Sequence, residues 1–238
     1  MKTVRGCVGL VITGCLLACI GCISSGKLVD REMAKKGFRK ATRAEMLAPI
    51  TSTFSIPKLG PAEPARPRSD LVGKWQAISM SNGRLSYLTS GYMGPVTTTQ
   101  SVFTYQFFED GTFTLAMKVV KAGAMTRHET NRNGKWSYVD GVLTLFCLDQ
   151  EGKEEALVRN VTWHDADTFW AHDDLEQMKK GLEKNWSKIG VECAVECQCT
   201  PDGVRRISET YREGDEEFAL LVTLCPLIHK RIGGVDSE

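Results

Sequence analysis

Three Asp-Gly dipeptides, each set between β-rich runs, constrain this chain more than any other feature. Asp110-Gly111 separates Ser101–Phe108 from Thr112–Val120, Asp140-Gly141 separates Lys135–Val139 from Val142–Leu148, and Asp202-Gly203 separates Val191–Cys199 from Val204–Tyr211. Asp and Gly accept the left-handed backbone that a tight hairpin needs, so each pair predicts two antiparallel strands. Leu71–Met80 supplies an opening strand, Glu155–Trp163 and Thr168–His172 flank the turn His164-Asp165-Ala166-Asp167, and Phe218–Leu224 is a last apolar run. Asp173–Lys188 is different. There Leu175, Met178, Leu182 and Trp186 fall on one helical stripe, with Asp173 or Asp174 as its cap. The expected fold is all-β: an antiparallel barrel or strongly curved meander with one amphipathic helix.

Hydrophobic residues make up 42% of the 238, enough for a real core, so the chain is neither disordered nor fibrous. The formal net charge of +1 is too balanced for a dedicated nucleic-acid binder. That balance conceals a division: residues 1–70 hold 12 basic and 5 acidic side chains, and residues 71–238 hold 18 and 24. A basic leader precedes an acidic globule.

The leader opens with Lys2 and Arg5 and then runs from Gly6 to Ser25 without a charge. Several glycines and cysteines dilute its apolar character, and it ends Leu16-Leu17-Ala18-Cys19, Ile20-Gly21-Cys22. This resembles a bacterial lipoprotein signal, in which an aliphatic and a small residue precede a cysteine that becomes diacylated. The resemblance implies a signal peptide over 1–18 and lipid on Cys19, with Cys22 as the alternative. Two acyl chains hold a protein stably on a membrane. No Asp follows either cysteine, so the expected location is the cell envelope, at the outer membrane and facing the periplasm. Residues 19–69 then read as a tether. It holds a short basic helix over 27–47, either lying on the membrane surface or solvated in a flexible spacer, and a proline-rich linker over 57–67. The domain starts near Asp70.

Within 70–238, Gly73-Lys74-Trp75 looks like the Gly-x-Trp signature of the lipocalin superfamily. The segments YQFFEDGTFTL and NGKWSYVDGVLTL are similar to bacterial lipocalin-like domains. The resemblance spans 71–172. It implies that Gly73 and Trp75 close one barrel end and that a basic residue of the last strand, Lys230 or Arg231, packs across the tryptophan. The helix and the strands after it depart from the usual order, in which the helix comes last. A second Gly-Lys-Trp, at 134–136, is either another core-closing device or a weak internal repeat.

Phe103, Tyr105 and Phe107 share one strand face, and Phe113, Leu115, Met117 and Val119 share the next. Paired across Asp110-Gly111, they line the barrel interior, either as an apolar pocket for a lipid-like ligand or as a filled core. Cys193, Cys197 and Cys199 share parity with Val195 and read as buried apolar thiols. Cys225, brought against one of the three, would form a disulfide. The spacing lacks the paired C-x2-C clusters of a zinc site, and no metal or cofactor is expected. His164, Asp165 and Asp167 read as turn chemistry, and His172, Asp173 and Asp174 as a helix start. No nucleophile elbow, zinc-protease motif or phosphate loop is present, so a non-catalytic protein is expected. Two functions follow: a lipid-anchored carrier of a small apolar ligand, or a structural lipoprotein with a filled barrel. The latter would bind an envelope protein, with the polar segment Ser81–Gln100 as its contact loop.

Overall fold

Asp140 and Gly141 both take positive φ, 50° and 81°. These are the dihedral signs of a two-residue hairpin turn, whose twist matches that of the strands it joins. At Asp110-Gly111 the Asp110 carboxylate accepts the Thr112 N–H at 2.8 Å and so fixes the start of the next strand. Turns of this kind set the architecture seen in the computed structural model, which describes residues 26–51, 56, 58–121, 124–148 and 152–233. In chain order the elements are α1 (Gly26–Lys35), β1 (Arg39–Lys40), α2 (Arg43–Leu47), a 3-10 turn (Arg68–Leu71), β2 (Gly73–Tyr87), β3 (Tyr92–Met93), β4 (Thr97–Phe107), β5 (Thr112–Lys121) and β6 (Ala124–Val139). They continue as β7 (Val142–Leu148), β8 (Glu154–Asp165), β9 (Thr168–Asp173), α3 (Leu175–Lys188), β10 (Cys193–Cys199), β11 (Arg205–Glu213), β12 (Glu216–Leu224) and β13 (Leu227–Arg231).

Eight of these strands close into an antiparallel barrel. β4 to β9 form a meander. β13 then joins β9 to the first strand, pairing with β2 over Trp75–Ala77, while β4 pairs with the other edge of β2 from Gly73 to Gly83. The chain is an all-β, lipocalin-like barrel. What departs from a plain eight-stranded meander is an insertion between β9 and β13, made of α3, β10, β11 and β12. β12 pairs with residues 81–87 of β2, and β11 and β10 extend the sheet outward from it. β12 and β13 therefore lie end to end along one edge of β2. The ladder is interrupted between them at Cys225-Pro226, where proline has no N–H to continue it. Cys225 holds the joint: its N–H donates to the Met80 carbonyl at 2.9 Å and its Sγ accepts the Met80 N–H at 2.8 Å.

α3 lays the predicted stripe on one face of the inserted sheet. Met178 and Leu182 pack against Val195, Ile207, Leu220 and Val222, and Trp186 packs with Tyr211 and Phe218. The opposite face is covered from the N-terminal side by Met46 of α2, which is 1% exposed and packs with Leu88, Met93 and Ala219.

Two expectations are corrected here. The segment 81–100 is not an open loop: most of it belongs to β2, β3 and β4, and Asn82, Arg84, Ser86 and Leu88 are buried. Of its polar residues Arg84 faces α2 and Asn82 accepts the Thr98 hydroxyl, while Thr89, Ser90, Thr97 and Gln100 are exposed. Arg84 Nη2 donates to the carbonyls of Glu45, Met46 and Ala48, which satisfies the end of that short helix. For the same reason residues 38–50 are no free tether. Thr42 caps α2 with a reciprocal Glu45 bond, and Arg43 makes a paired ion bridge to Glu217. The expected lipid-bearing Cys19 and Cys22 lie outside the described residues. No helix among the described residues is long and apolar enough to cross a membrane.

Candidate functional site

The interior is built in two halves, because inward positions alternate along every strand. At the end where β2 begins, the side chains are large and fully packed. Trp75, Phe107, Phe113, Trp136, Trp163 and Phe169 form one buried cluster with Leu71. Each indole N–H has an acceptor: Trp75 donates to the Leu71 carbonyl, Trp136 to the Phe108 carbonyl and Trp163 to the Tyr138 hydroxyl. An arginine lies over each ring: Arg231 over Trp75 at 4.3 Å, Arg68 over Trp136 at 4.5 Å and Arg66 over Trp163 at 5.5 Å. Arg231 also donates to the carbonyls of Asp70 and Val72 and pairs with Asp167. Gly73 makes room for it, since a Cβ there would stand 2.9 Å from Arg231 Nη1. Arg68 opens the 3-10 turn, and Arg66 comes from the proline-rich segment just before it, which lies across this end of the barrel. There the Glu63 N–H donates to the Trp163 carbonyl, and the His164 imidazole meets the Gly60 carbonyl at 2.8 Å.

Phe103, Tyr105 and Phe107 stack as a ladder up the β4 wall, at 6.5 and 5.7 Å between successive ring centres. Tyr105, Phe107 and Phe113 are buried outright, and Leu115 and Val119 nearly so. Phe103, Met117 and Leu157 are only partly buried. The interior therefore loosens away from the tryptophan floor.

Charge enters at that looser end. Arg159, inward on β8, donates from Nη1 to the Tyr105 hydroxyl and from Nε to Asp173, both at 2.9 Å. Arg205, from the start of β11 in the insertion, pairs with the other oxygen of the same carboxylate. Burial works against the charge on Arg159, but Tyr105 and Asp173 outweigh it and hold the guanidinium above its ordinary range. Burial likewise opposes ionisation of Asp173, and the two arginines overcome it and pull the carboxyl down. His229, 1% exposed on β13, lies flat against Phe169 at 4.4 Å and beside Tyr105 at 5.2 Å. Burial and the nearby Arg159 push its imidazole down to about 3, so it is neutral at any physiological pH. One step further out, Arg132 pairs with Glu155 at 3.3 Å and reaches Cys147 Sγ.

Of the two cap candidates, Asp173 and Asp174, Asp174 takes the role, accepting the N–H groups of Glu176 and Gln177, and this leaves Asp173 to the arginines. His172 faces away from the barrel interior, on Trp170 at 3.8 Å with Thr162 Oγ1 at 3.1 Å. Among the described residues the two His/Asp triplets make no cluster that could hold a metal ion, although His164 lies near enough to His172 to oppose its charge. Arg159 and Arg205 were not picked out, although one signal was available: Leu157, Arg159, Val161 and Trp163 share a parity, which puts a charge in an otherwise apolar inward row.

The expected disulfide is not formed. Among the described residues Cys147, Cys193, Cys197, Cys199 and Cys225 carry free thiols. β11 separates β10 from β12, a gap of roughly 10 Å between strand axes, whereas bridged Cα atoms lie within about 7 Å. Cys193 and Cys197 instead pack under α3 beside the buried Glu209, and burial pushes the Cys193 thiol up to about 12. Searched against protein-family models and against curated proteins, the sequence matches none.

Proposed function

We propose that this protein is a non-catalytic, envelope-anchored carrier whose lipocalin-like barrel takes a small, largely apolar ligand at the end opposite the tryptophan floor. One observation carries this reading. The floor is filled with interlocked aromatics, whereas Phe103, Met117 and Leu157 line the other end without being fully buried. Side chains that line without filling leave apolar surface for a ligand to cover. The anchor is the lipid expected on Cys19, or on Cys22.

Two measurements test it. Native mass spectrometry of the protein released from membranes is expected to show an extra mass that leaves on organic extraction. Met117→Trp, which fills the looser end, is expected to abolish that mass while the protein still folds. A clean apo mass, from protein that also takes up no apolar dye, would overturn the carrier. For the anchor, the N-terminal tryptic peptide is expected to carry the mass of acyl chains, and a lipid-free peptide would overturn that part.

The filled floor also favours a second reading, a structural lipoprotein that binds an envelope protein. Its expected contact segment, 81–100, is largely built into the sheet, which removes the feature that recommended it.

A further inference from the structure

The looser end of the barrel holds more positive charge than the carboxylate beside it neutralises. The side chains of Arg159 and Arg205 are 14% and 11% exposed, and both share Asp173. Arg132 has its own partner in Glu155. Two guanidiniums on one carboxylate leave a net cation where little water reaches, an arrangement that costs stability unless something else completes it. Donors outnumber acceptors as well. Arg159 uses Nε and Nη1, and Arg205 uses Nη1. The remaining N–H groups of both have no protein acceptor among the described residues. A separate observation points to the same place. His229 is 1% exposed and lies against the Tyr105 ring whose hydroxyl receives Arg159, and its Nδ1 makes no well-formed hydrogen bond, the Leu227 backbone alone being near the ring.

We infer that Arg159, Arg205 and Tyr105 form a subsite for an anionic oxygen group of the ligand, with His229 packed beside Tyr105. This deepens the carrier reading and rests on it. Asp173 holds the two guanidinium planes in position, and their free N–H groups present the fork geometry that carboxylate and phosphate oxygens fit. The imidazole, held neutral by burial, adds no further cation beside the subsite. Phe103, Met117 and Leu157 lie at the same end and take the apolar part. The same oxyanion chemistry belongs to a lipid-type carboxylate and to free inorganic phosphate.

The test is calorimetric titration of the full chain in phosphatidylcholine nanodiscs, with empty nanodiscs as the blank, using sodium octanoate, octanol and inorganic phosphate. Octanoate is expected to bind about tenfold or more tightly than octanol, because hydrogen bonds to a charged group contribute at least that much. Arg159→Met is expected to bring octanoate down to the octanol level. If that variant does not fold, Arg205→Gln serves for the same comparison. Phosphate that competes with octanoate would support the subsite and identify a free anion as sufficient. Failure to compete, with octanoate still preferred, would support it and identify an apolar-tailed acid. Equal binding of octanoate and octanol, or a preference unchanged in a folded variant, would overturn the subsite and leave the carrier standing. Binding of none of the three would overturn both.

Discussion

Gly73 and Gly181 show how differently two glycines can be used. Gly73 has φ 124° and faces the Arg231 guanidinium, so a side chain there meets both backbone strain and a displaced arginine. Gly181 lies inside α3 with nothing within 4 Å of its missing Cβ. Gly73→Ala is therefore expected to destabilise by about 1–3 kcal/mol, and Gly181→Ala to stabilise by up to about 1 kcal/mol. Urea denaturation of the two variants checks both signs. Glu209 supplies a third test at this scale. Its carboxyl is buried between α3 and the inserted sheet, near Cys193 and Cys197, which Glu183 also faces, and accepts the Trp186 indole N–H. Burial raises its pKa above the ordinary 4.5, and the indole bond offsets only part of that. The folded state therefore holds this proton more tightly than the unfolded chain does. The stability Glu209 contributes is fully present below pH 4.5 and is lost as pH rises through the folded value. Glu209→Gln keeps an oxygen for the indole and removes the charge. It is expected to melt higher than the wild type at pH 7, with the difference closing as pH falls toward 4.5, measured by thermal melts of both proteins across that range.

Among the elements, α3 was the most legible and β2 the least. The stripe Leu175, Met178, Leu182, Trp186 repeats at helical spacing, and the structure packs Met178, Leu182 and Trp186 of it against the inserted sheet. Its start depends on Asp174, which accepts two N–H groups that would otherwise lack partners. Asp174→Ala is expected to cost about 1 kcal/mol, with loss of α3 ellipticity ahead of any change in the barrel tryptophans. β2 runs on to Tyr87, past the polar residues Ser81, Asn82, Arg84 and Ser86 that made this stretch resemble a loop. Alternation was present there, but with polarity inverted. Arg84 is buried because a segment 36 to 39 residues earlier folds back on it, and Asn82 is buried against β4, where it accepts the Thr98 hydroxyl. Polarity along a strand reports burial only when the covering surface is apolar, and here the cover is the carbonyl end of α2. The proline-rich segment misleads in the same way: its composition describes an extended linker, which it is, but not that Arg66 within it and Arg68 just after it cover two indoles.

At the scale of the whole molecule, β2 is the member common to barrel and insertion. It pairs with β4 and β13 through its first half and with β12 through its second. A strand shared by two packed layers couples their unfolding, since neither ladder survives loss of the other's central partner. Fluorescence of the barrel tryptophans in a Trp186→Phe variant and far-ultraviolet ellipticity are therefore expected to report one coincident urea transition. Two separated transitions would show that the insertion unfolds on its own. Asp173 adds a second tie between the layers through Arg159 and Arg205. The sequence by itself determined the hairpins, the one amphipathic helix in the domain and the inward faces of β4 and β5. These depend on turn dihedrals and on side-chain period, which are properties of neighbours along the chain. Only the tertiary structure decided that β13 rather than β12 closes the barrel, that Cys225 meets Met80 instead of another thiol, and that Arg159, Arg205 and Tyr105 come together. Those residues are 46 to 100 positions apart in pairs, and no local pattern carries information about which distant strand lies beside which.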